Sequence, residues 1–315
     1  ATSAFRKGVS VRWLLAPAVL YYGLLLLGHL SIVSVQLGWQ KTRMPLDFAL
    51  ISRPFPLSLS DVFGYVFVLS LMIFLVRRFS AARQEEARLS QEMEAARSVQ
   101  SLLIPAVPPA TPGFAVEHVY LPASEVGGDF FQVLPGDDGS LLIVVGDVSG
   151  KGLKAAMTVS AIVGALRNEK ERQPGQVLRN LNYVLLGEVS GFATCAAVLI
   201  SADGGMTLAN AGHLPPYCNG KELATPNGLP LGIVAGCSYE ETHYELIPGD
   251  RLTFVSDGVV EARDVKGELL GFERAAALAS KPAATIAEAA QRWGQGDDIT
   301  VLSVTRTAGL EPAVA

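Results

Sequence analysis

The chain contains a stretch, residues 13–40, with no Asp, Glu, Lys or Arg, and this stretch limits the possible folds more than any other feature. A membrane-spanning helix needs about 20 consecutive apolar residues, so the stretch is long enough to span. A second apolar stretch, residues 54–76, carries one charge, Asp61, near its start. We therefore expect residues 1–76 to form a membrane hairpin with spans at about 13–38 and 55–76. The alternatives are a cleaved signal peptide for the first stretch and a buried core helix for the second.

The composition agrees with a membrane segment and argues against a nucleic-acid-binding surface. Half of the 315 residues are hydrophobic and the net charge is −5. Nucleic-acid-binding domains carry clustered Lys and Arg, and the C-terminal half has no such run, so no nucleic-acid partner is expected. Cys195, Cys218 and Cys237 are far apart without CxxC spacing, which predicts plain buried thiols in a reducing compartment.

Residues 77–104 are expected to form a helical linker, because 77–103 contains no Gly or Pro and is rich in good helix formers. An apolar seam interrupted by Glu86 and Gln100 runs along it and consists of Ala82, Leu89, Met93, Ala96 and Leu103. Two interpretations stay open, a short parallel coiled coil that makes a homodimer and a solvated amphipathic linker. The proline-rich residues 105–113 predict a stiff extended linker and a domain boundary.

The pattern changes to short β-type runs after residue 113. The runs lie at 115–121, 130–134, 141–145, 194–200, 206–210, 251–255 and 299–305. Helical stretches lie at 153–170, 176–189, 272–279 and 284–293. Strands in series with helices grouped between them predict an α+β domain of antiparallel sheets with helices on their faces.

Four acidic clusters lie in glycine-rich turns beside these runs. They contain Asp129, Asp147, Asp257 and the pair Asp297 and Asp298. A single Asp-Gly is usually only a turn, but four beside strands indicate a common site. Carboxylates brought together repel each other unless a cation neutralises them. Oxygen ligands without His or Cys favour magnesium or manganese over zinc.

Six motifs in register carry a resemblance to a known family. They are VGGDFF at 126–131, VGDVSGKG at 145–152, ANAGH at 209–213, LPLG at 229–232, SDGVVEA at 256–262 and DDIT at 297–300. With the helix MEAARSVQSLLIP at 93–105, they resemble the SpoIIE/RsbU-like branch of the metal-dependent (PPM, type 2C-like) serine/threonine protein phosphatases. The similarity runs from about residue 92 to 306 and leaves the membrane hairpin outside.

The resemblance implies an αββα sandwich over residues 114–307, followed by a short tail at 308–315. It implies two divalent cations, Mn²⁺ or Mg²⁺, that activate a water for in-line attack on phosphorus. In this scheme Asp147 bridges both metals and the nucleophilic water, and the backbone carbonyl of Val148 completes one site. Asp129, Asp257 and Asp297 supply the other carboxylates. Gly128, Gly258 and Asp298 are expected near the site.

The sequence departs from the family pattern at two positions. Gln132 stands where an acidic residue is common, and Ser149 stands where animal-type relatives carry a histidine. No general acid can therefore be named. Lys151 is interpreted as an exposed lysine at a helix start, and His213 as a structural loop histidine, with a catalytic role as the alternative for each.

The resemblance further implies the function. We expect a membrane-anchored phosphatase that dephosphorylates a regulatory protein, a STAS-type anti-anti-sigma factor. The alternative is a catalytically degenerate module that only binds its partner. Basic residues flank both spans almost evenly, so the positive-inside rule does not orient the hairpin. Phosphorylated regulators are cytoplasmic, which predicts a multi-pass protein of the cell inner membrane with a cytoplasmic catalytic domain. The sequence begins with Ala, so an upstream sensor region is left open.

Overall fold

The computed structural model describes residues 12–39, 49–51, 57–103, 111–124, 126–188 and 191–307. The chain divides into two compact units, Ala1–Leu89 and Ser90–Ala315. The predicted proline-rich linker is described only from residue 111, and the predicted tail at 308–315 lies outside the described residues. The domain boundaries proposed from the sequence therefore stay predictions.

The first unit contains two long apolar helices. They are α1 (Arg12–Gln36) and the start of α2 (Leu59–Leu103), with two short antiparallel strands between them, β1 (Ala49–Ile51) and β2 (Leu57–Ser58). The stretches Ala18–Gln36 and Asp61–Arg88 are both long and apolar enough to cross a membrane. Their large apolar side chains, such as Leu26 and Leu69, are exposed.

Aromatic side chains connect the two helices. The Tyr21 ring on α1 stacks on the Phe67 ring of α2, with centroids 6.4 Å apart. A Cβ at Gly64 would lie 3.3 Å from the Tyr21 ring, so the absence of a side chain there lets the ring approach α2. The predicted hairpin is therefore present as a pair of packed helices.

The second unit contains two five-stranded antiparallel sheets. The first consists of β4 (Asp129–Pro135), β5 (Leu141–Val148), β6 (Ala193–Ile200), β7 (Gly205–Ala211) and β10 (Glu241–Glu245), in the order β10–β7–β6–β5–β4. The second consists of β3 (Phe114–Leu121), β8 (Tyr217–Cys218), β9 (Lys221–Glu222), β11 (Arg251–Val255) and β12 (Ile299–Arg306), in the order β3–β12–β11–β8–β9. Besides the end of α2, this unit contains the helices α3 (Leu153–Asn168), α4 (Pro174–Glu188), α5 (Asp257–Val260), α6 (Gly271–Leu278) and α7 (Ala283–Gly294).

The sheets stack face to face with helices on both outer sides. Side chains alternate along a strand, so Ile143 and Val145 of β5 point to the second sheet while Leu142 and Val144 point to α3 and α4. A strand buried on both faces needs apolar residues at every position, and β5 is apolar from Leu141 to Val145 for this reason. A third apolar cluster joins the second sheet to α5, α6 and α7. This arrangement confirms the αββα sandwich.

The structure also contains elements that the sequence did not reveal. β10 reads Glu-Thr-His-Tyr-Glu and is an edge strand, so polar residues on its exposed side hid its alternation. β8 and β9 have two residues each, too few for any periodic pattern. The three cysteines are free thiols. Cys195 is buried as predicted, whereas Cys218 and Cys237 are only half-buried.

Candidate metal centre

Two of the predicted carboxylates lie opposite each other in the first sheet. β4 begins at Asp129 and β5 ends near Asp147, and these two residues are direct antiparallel partners. Both share the face that carries Phe131 and Val145 into the space between the sheets. The two side chains therefore meet at one end of the sandwich core.

The third carboxylate comes from the second sheet. Asp257 is the first residue of α5, immediately after β11. The strand end is held by Ser256, whose hydroxyl donates to the Asp298 carbonyl (3.0 Å) and accepts from the Thr300 N–H (2.9 Å). As a result, Asp129, Asp147 and Asp257 each offer a carboxylate oxygen within 4.8 Å of the others.

Burial and mutual repulsion make this cluster electrostatically costly without a cation. Burial, followed by the charge of Asp147, raises the pKa of Asp129 well above its usual range. Burial, followed by the charges of Asp257 and Asp297, raises the pKa of Asp147 to about 7. Burial, followed by the charges of Asp297 and Glu261, raises the pKa of Asp257. Bound cations would restore the charged forms, so cation binding is expected to release protons.

The backbone around the cluster leaves room for ligands. A Cβ at Gly128 would lie 2.7 Å from Asp147 Oδ1 and 2.8 Å from the Val148 carbonyl oxygen. Because residue 128 has no side chain, the two predicted metal-ligand oxygens of β5, Asp147 Oδ1 and the Val148 carbonyl oxygen, can lie close to the Gly128 backbone. Oxygen donors alone, three of them carboxylates within reach of each other, match a hard divalent cation such as Mg²⁺ or Mn²⁺.

Asp298 shapes this backbone. Its Oδ2 accepts from the Gly128 N–H (2.6 Å) and its Oδ1 accepts from the Ala123 N–H (2.8 Å). Both carboxylate oxygens of Asp298 therefore accept hydrogen bonds from the backbone. These bonds fix the loop that contains Gly128, next to Asp147. The contribution of Asp298 is to position Gly128.

Asp297, the fourth predicted carboxylate ligand, is not part of the cluster of three carboxylates. Its Oδ2 lies 3.0 Å from the Lys151 ammonium, and its Oδ1 accepts from the Asp298 N–H (3.0 Å). It still lines the same small cavity, of about 100 Å³, together with Asp147 and the Val148 backbone. The assignment of Asp297 as a ligand stays a proposal.

The residues that depart from the family pattern have structural partners. Ser149 exchanges hydrogen bonds with the Phe192 backbone, with its N–H donating (2.9 Å) and its hydroxyl accepting (3.1 Å). Gln132 lies on the face of β4 opposite to Asp129, beside the helix layer, and donates to the Phe131 carbonyl (2.7 Å). Neither points to the carboxylate cluster.

His213 is buried and lies close to the strand partner of Asp147. Its Nδ1 lies 3.0 Å from the Thr194 hydroxyl, and Thr194 is the strand partner of Asp147. Asn210 clamps the loop by donating to the His213 carbonyl and accepting from its N–H, both at 2.8 Å. Burial lowers the pKa of His213 to about 4, so the imidazole is neutral at pH 7.

Two residues of the site were missed from the sequence. Thr300 donates to Asp129 Oδ2 (2.5 Å) and orients that carboxylate. Tyr120 is placed close to Asp298, and a Cβ at Gly127 would contact both side chains. Burial and the charges of Asp298, Asp129 and Asp147 raise the pKa of Tyr120. Thr300 follows the predicted Asp-Asp pair and could have been identified from that motif, whereas nothing in the β3 sequence distinguishes Tyr120.

The comparisons with known proteins agree with this geometry. The profile of the Stage II sporulation protein E (SpoIIE) family matches residues 137–307, more than half of the chain. Phosphoserine phosphatase RsbU of Bacillus subtilis is 31% identical over 223 residues, which cover 66% of this chain and 66% of RsbU. The chain therefore spans just under two thirds of that relative.

Solved structures show the same fold. The RsbU and RsbW domains of a Mycobacterium tuberculosis protein match with a TM-score of 0.57 and 27% identity, over 67% of this chain and 64% of that one. The SiaA-PP2C domain of Pseudomonas aeruginosa matches with a TM-score of 0.58 and 22% identity, over 71% of this chain and 99% of that one. The chain therefore belongs to the SpoIIE family, in the SpoIIE/RsbU-like branch of the PP2C-type (PPM) serine/threonine phosphatases.

Proposed function

We propose that this protein is a membrane-anchored, metal-dependent serine/threonine phosphatase. The observation that carries the proposal is the convergence of Asp129, Asp147 and Asp257 within 4.8 Å at one end of a PP2C-type sandwich. A degenerate binding module would not need to keep three mutually repelling carboxylates close together, one of them buried and two half-buried. Such a cluster reduces the stability of the metal-free fold, so its presence favours a working metal site.

The protein side of the mechanism follows from the positions of the side chains. Asp129, Asp147 and Asp257 would hold two cations, with Asp147 as the shared ligand. The Val148 carbonyl and Asp297 would complete the ligand set. Bound Mn²⁺ or Mg²⁺ would polarise phosphate oxygens and lower the pKa of a water nucleophile. Thr300 holds Asp129 and Asp298 holds the Gly128 backbone, so the ligands are oriented before substrate arrives.

The proposed substrate is a phosphoserine or phosphothreonine of a regulatory protein, a STAS-type anti-anti-sigma factor. Support comes from the relationship to RsbU, which is named a phosphoserine phosphatase. Support also comes from the Mycobacterium tuberculosis structure, in which RsbU and RsbW domains occur together. The cavity at the site is small, about 100 Å³, which suits a phosphoryl group presented by a protein surface better than a large metabolite.

The test is hydrolysis by the full chain in detergent. We expect Mn²⁺-dependent hydrolysis of p-nitrophenyl phosphate and of a phosphoserine peptide, with loss of activity in EDTA and recovery on adding Mn²⁺. A folded protein that binds Mn²⁺ but hydrolyses neither compound contradicts the proposal. That result would favour the binding module.

The membrane topology is a separate prediction. We propose two spans with the loop at 40–53 outside and residues 77–315 in the cytoplasm. The two apolar helices support it, since each is long enough to span. Reporter fusions after Arg83 and within residues 41–53 are expected to report opposite sides of the inner membrane. Fusions that report the same side would exclude the hairpin.

We further propose that residues 77–104 form a homodimer through the linker helix. This stretch is helical as far as Leu103, and its apolar seam is imperfect at Glu86 and Gln100. Replacing both with Leu is expected to strengthen the pairing and to increase disulfide cross-linking of Leu89→Cys. An unchanged cross-linking yield and an unchanged activity would mean that the helix is a monomeric tether.

A further inference from the structure

The cavity at the metal centre carries a positive charge that the metal-ligand scheme does not use. Asp147, Asp297 and Asp298 line it, and so does Lys151. Among the described residues that line the cavity, Lys151 is the single cation, and all the other ionisable groups are carboxylates. A phosphate ester enters this cavity as an anion, so a cation at its wall is expected to interact with it.

The local backbone holds Lys151 at this position. Gly150 and Gly152 on either side have φ values of 101° and 78°, a region that residues with a Cβ rarely adopt. Helix α3 begins directly after this turn, at Leu153. The two glycines therefore set a tight turn from Asp147 to α3, and Lys151 lies at its apex.

The present partner of Lys151 is easily exchanged. Its Nζ lies 3.0 Å from Asp297 Oδ2, and the two side chains are 63% and 46% exposed. An exposed ion pair of this kind contributes little to stability, because water and salt screen it. If Asp297 served as a metal ligand, its charge would be compensated without Lys151. The lysine side chain would then be available to another anion in the same cavity.

We propose that Lys151 is a substrate-contacting residue whose ammonium group donates hydrogen bonds to the phosphoryl oxygens of the bound phosphate ester. This inference rests on the proposed phosphatase function and deepens it. The lysine stays protonated throughout and transfers no proton. Its contribution is a positive charge beside the phosphoryl oxygens that face away from the metals, which stabilises the negative charge spread over these oxygens in the transition state. A lysine ammonium suits this task as a point charge on a flexible stem.

A different role for Lys151 makes a different prediction. If the lysine only balances Asp297, its removal changes the affinity for the metal and leaves the affinity for phosphate per metal-loaded site unchanged. If it contacts the phosphoryl group, the affinity for phosphate falls while the affinity for Mn²⁺ stays nearly constant. Measurements of both affinities on the same variants separate the two roles.

The experiment compares Lys151→Gln, Lys151→Arg and the matched control Lys154→Gln in the full chain. Lys154 is exposed in the first turn of α3 and does not line the cavity, so its replacement removes the same charge nearby. The measured quantities are the inhibition constant of inorganic phosphate in hydrolysis of p-nitrophenyl phosphate, and Mn²⁺ affinity by titration calorimetry. Binding of phosphate to the Mn²⁺-loaded protein is followed independently by broadening of its ³¹P resonance.

For Lys151→Gln we expect the phosphate inhibition constant to rise on the order of tenfold or more, with Mn²⁺ affinity within about threefold of wild type. Lys151→Arg and Lys154→Gln are expected to stay within about threefold on both measures. An unchanged phosphate constant in Lys151→Gln, or an equal loss in Lys154→Gln, overturns the inference. A wild-type protein that hydrolyses nothing refutes the proposed function instead, and the ³¹P measurement still tests Lys151.

Discussion

Asp147→Asn is expected to abolish phosphate hydrolysis while leaving the fold intact. The substitution keeps the shape of the side chain but removes the charge at the centre of the cluster, opposite Asp129 and within reach of Asp257. We expect kcat/KM for p-nitrophenyl phosphate with Mn²⁺ to fall on the order of a thousandfold or more, about 4 kcal/mol in the barrier. Activity within tenfold of wild type would refute the role of Asp147.

The stability of the same variant provides a second readout. In EDTA, the Asn side chain removes one of several like charges that burial and repulsion destabilise. The melting temperature of the metal-free variant is therefore expected to equal or exceed that of the wild type. Added Mn²⁺ is expected to raise the melting temperature of the wild type and to have a much smaller effect on the variant. If the melting temperature of the variant in EDTA is much lower than that of the wild type, its inactivity comes from misfolding.

Asp257→Asn and Asp298→Asn test whether the loss of activity is specific to the three carboxylates of the cluster. Asp257 belongs to the cluster of three, so its variant is expected to lose activity nearly as strongly as Asp147→Asn. Asp298 instead accepts from the backbone N–H groups of Ala123 and Gly128. An amide can replace only one of these two acceptors, so Asp298→Asn is expected to lose some stability and less activity. Equal losses in all three variants would contradict this division of roles.

Gly258→Ala is expected to cause the second large loss. A Cβ at this position would lie 2.0 Å from the Asp298 carbonyl oxygen and 2.8 Å from its carbonyl carbon. The obstacle is backbone, so no side-chain rotation relieves it, and either α5 or the start of β12 must shift. Such overpacking costs roughly 1–3 kcal/mol or more in the free energy of unfolding. The shift also displaces Asp257, and we expect Mn²⁺-dependent activity to be lost.

A nearby glycine provides the matched control. Gly296 lies in the same acidic motif as Asp297, and a Cβ there would meet no atom within 4 Å. Gly296→Ala is therefore expected to retain activity and stability close to those of wild type. Urea unfolding and Mn²⁺-dependent hydrolysis, measured on both variants, check the prediction. If Gly258→Ala retains activity and stability as Gly296→Ala does, that result contradicts the close contact between Gly258 and the Asp298 carbonyl.

Local sequence patterns were sufficient to predict most of the sandwich and the carboxylates. β5 could be recognised because its doubly covered part, residues 141–145, is apolar at every position. Its end was predicted three residues too early, because Gly146 and Asp147 interrupt the apolar run although the strand continues to Val148. Six motifs in the right order then identified the family, and the family supplied the roles of the aspartates. The convergence of Asp129, Asp147 and Asp257 could be expected because each one adjoins the end of a strand.

The contacts that the sequence could not predict join residues that are distant along the chain. The pairing of Lys151 with Asp297 connects the start of α3 with the turn before β12, and it depends on how the two sheets stack. Tyr120 reaches the acidic cluster from β3, whose apolar alternation is ordinary. β10 was missed because an edge strand shows solvent a polar side and therefore lacks the pattern of a buried strand.

The pairing of Asp129 with Asp147 also determines where this protein can change in length. Adjacent residues of a strand point to opposite faces, so deleting one residue inside β4 would turn Asp129 toward α3 and α4 and dismantle the site. The turn that joins the two strands at Gly136 and Ser140 lies at the far end of the hairpin, seven residues or about 23 Å from Asp129. Extra residues added there leave the register of both strands untouched. That turn is therefore a suitable position for an inserted label or tag, and length variation among relatives is expected to accumulate at such turns rather than within the strands.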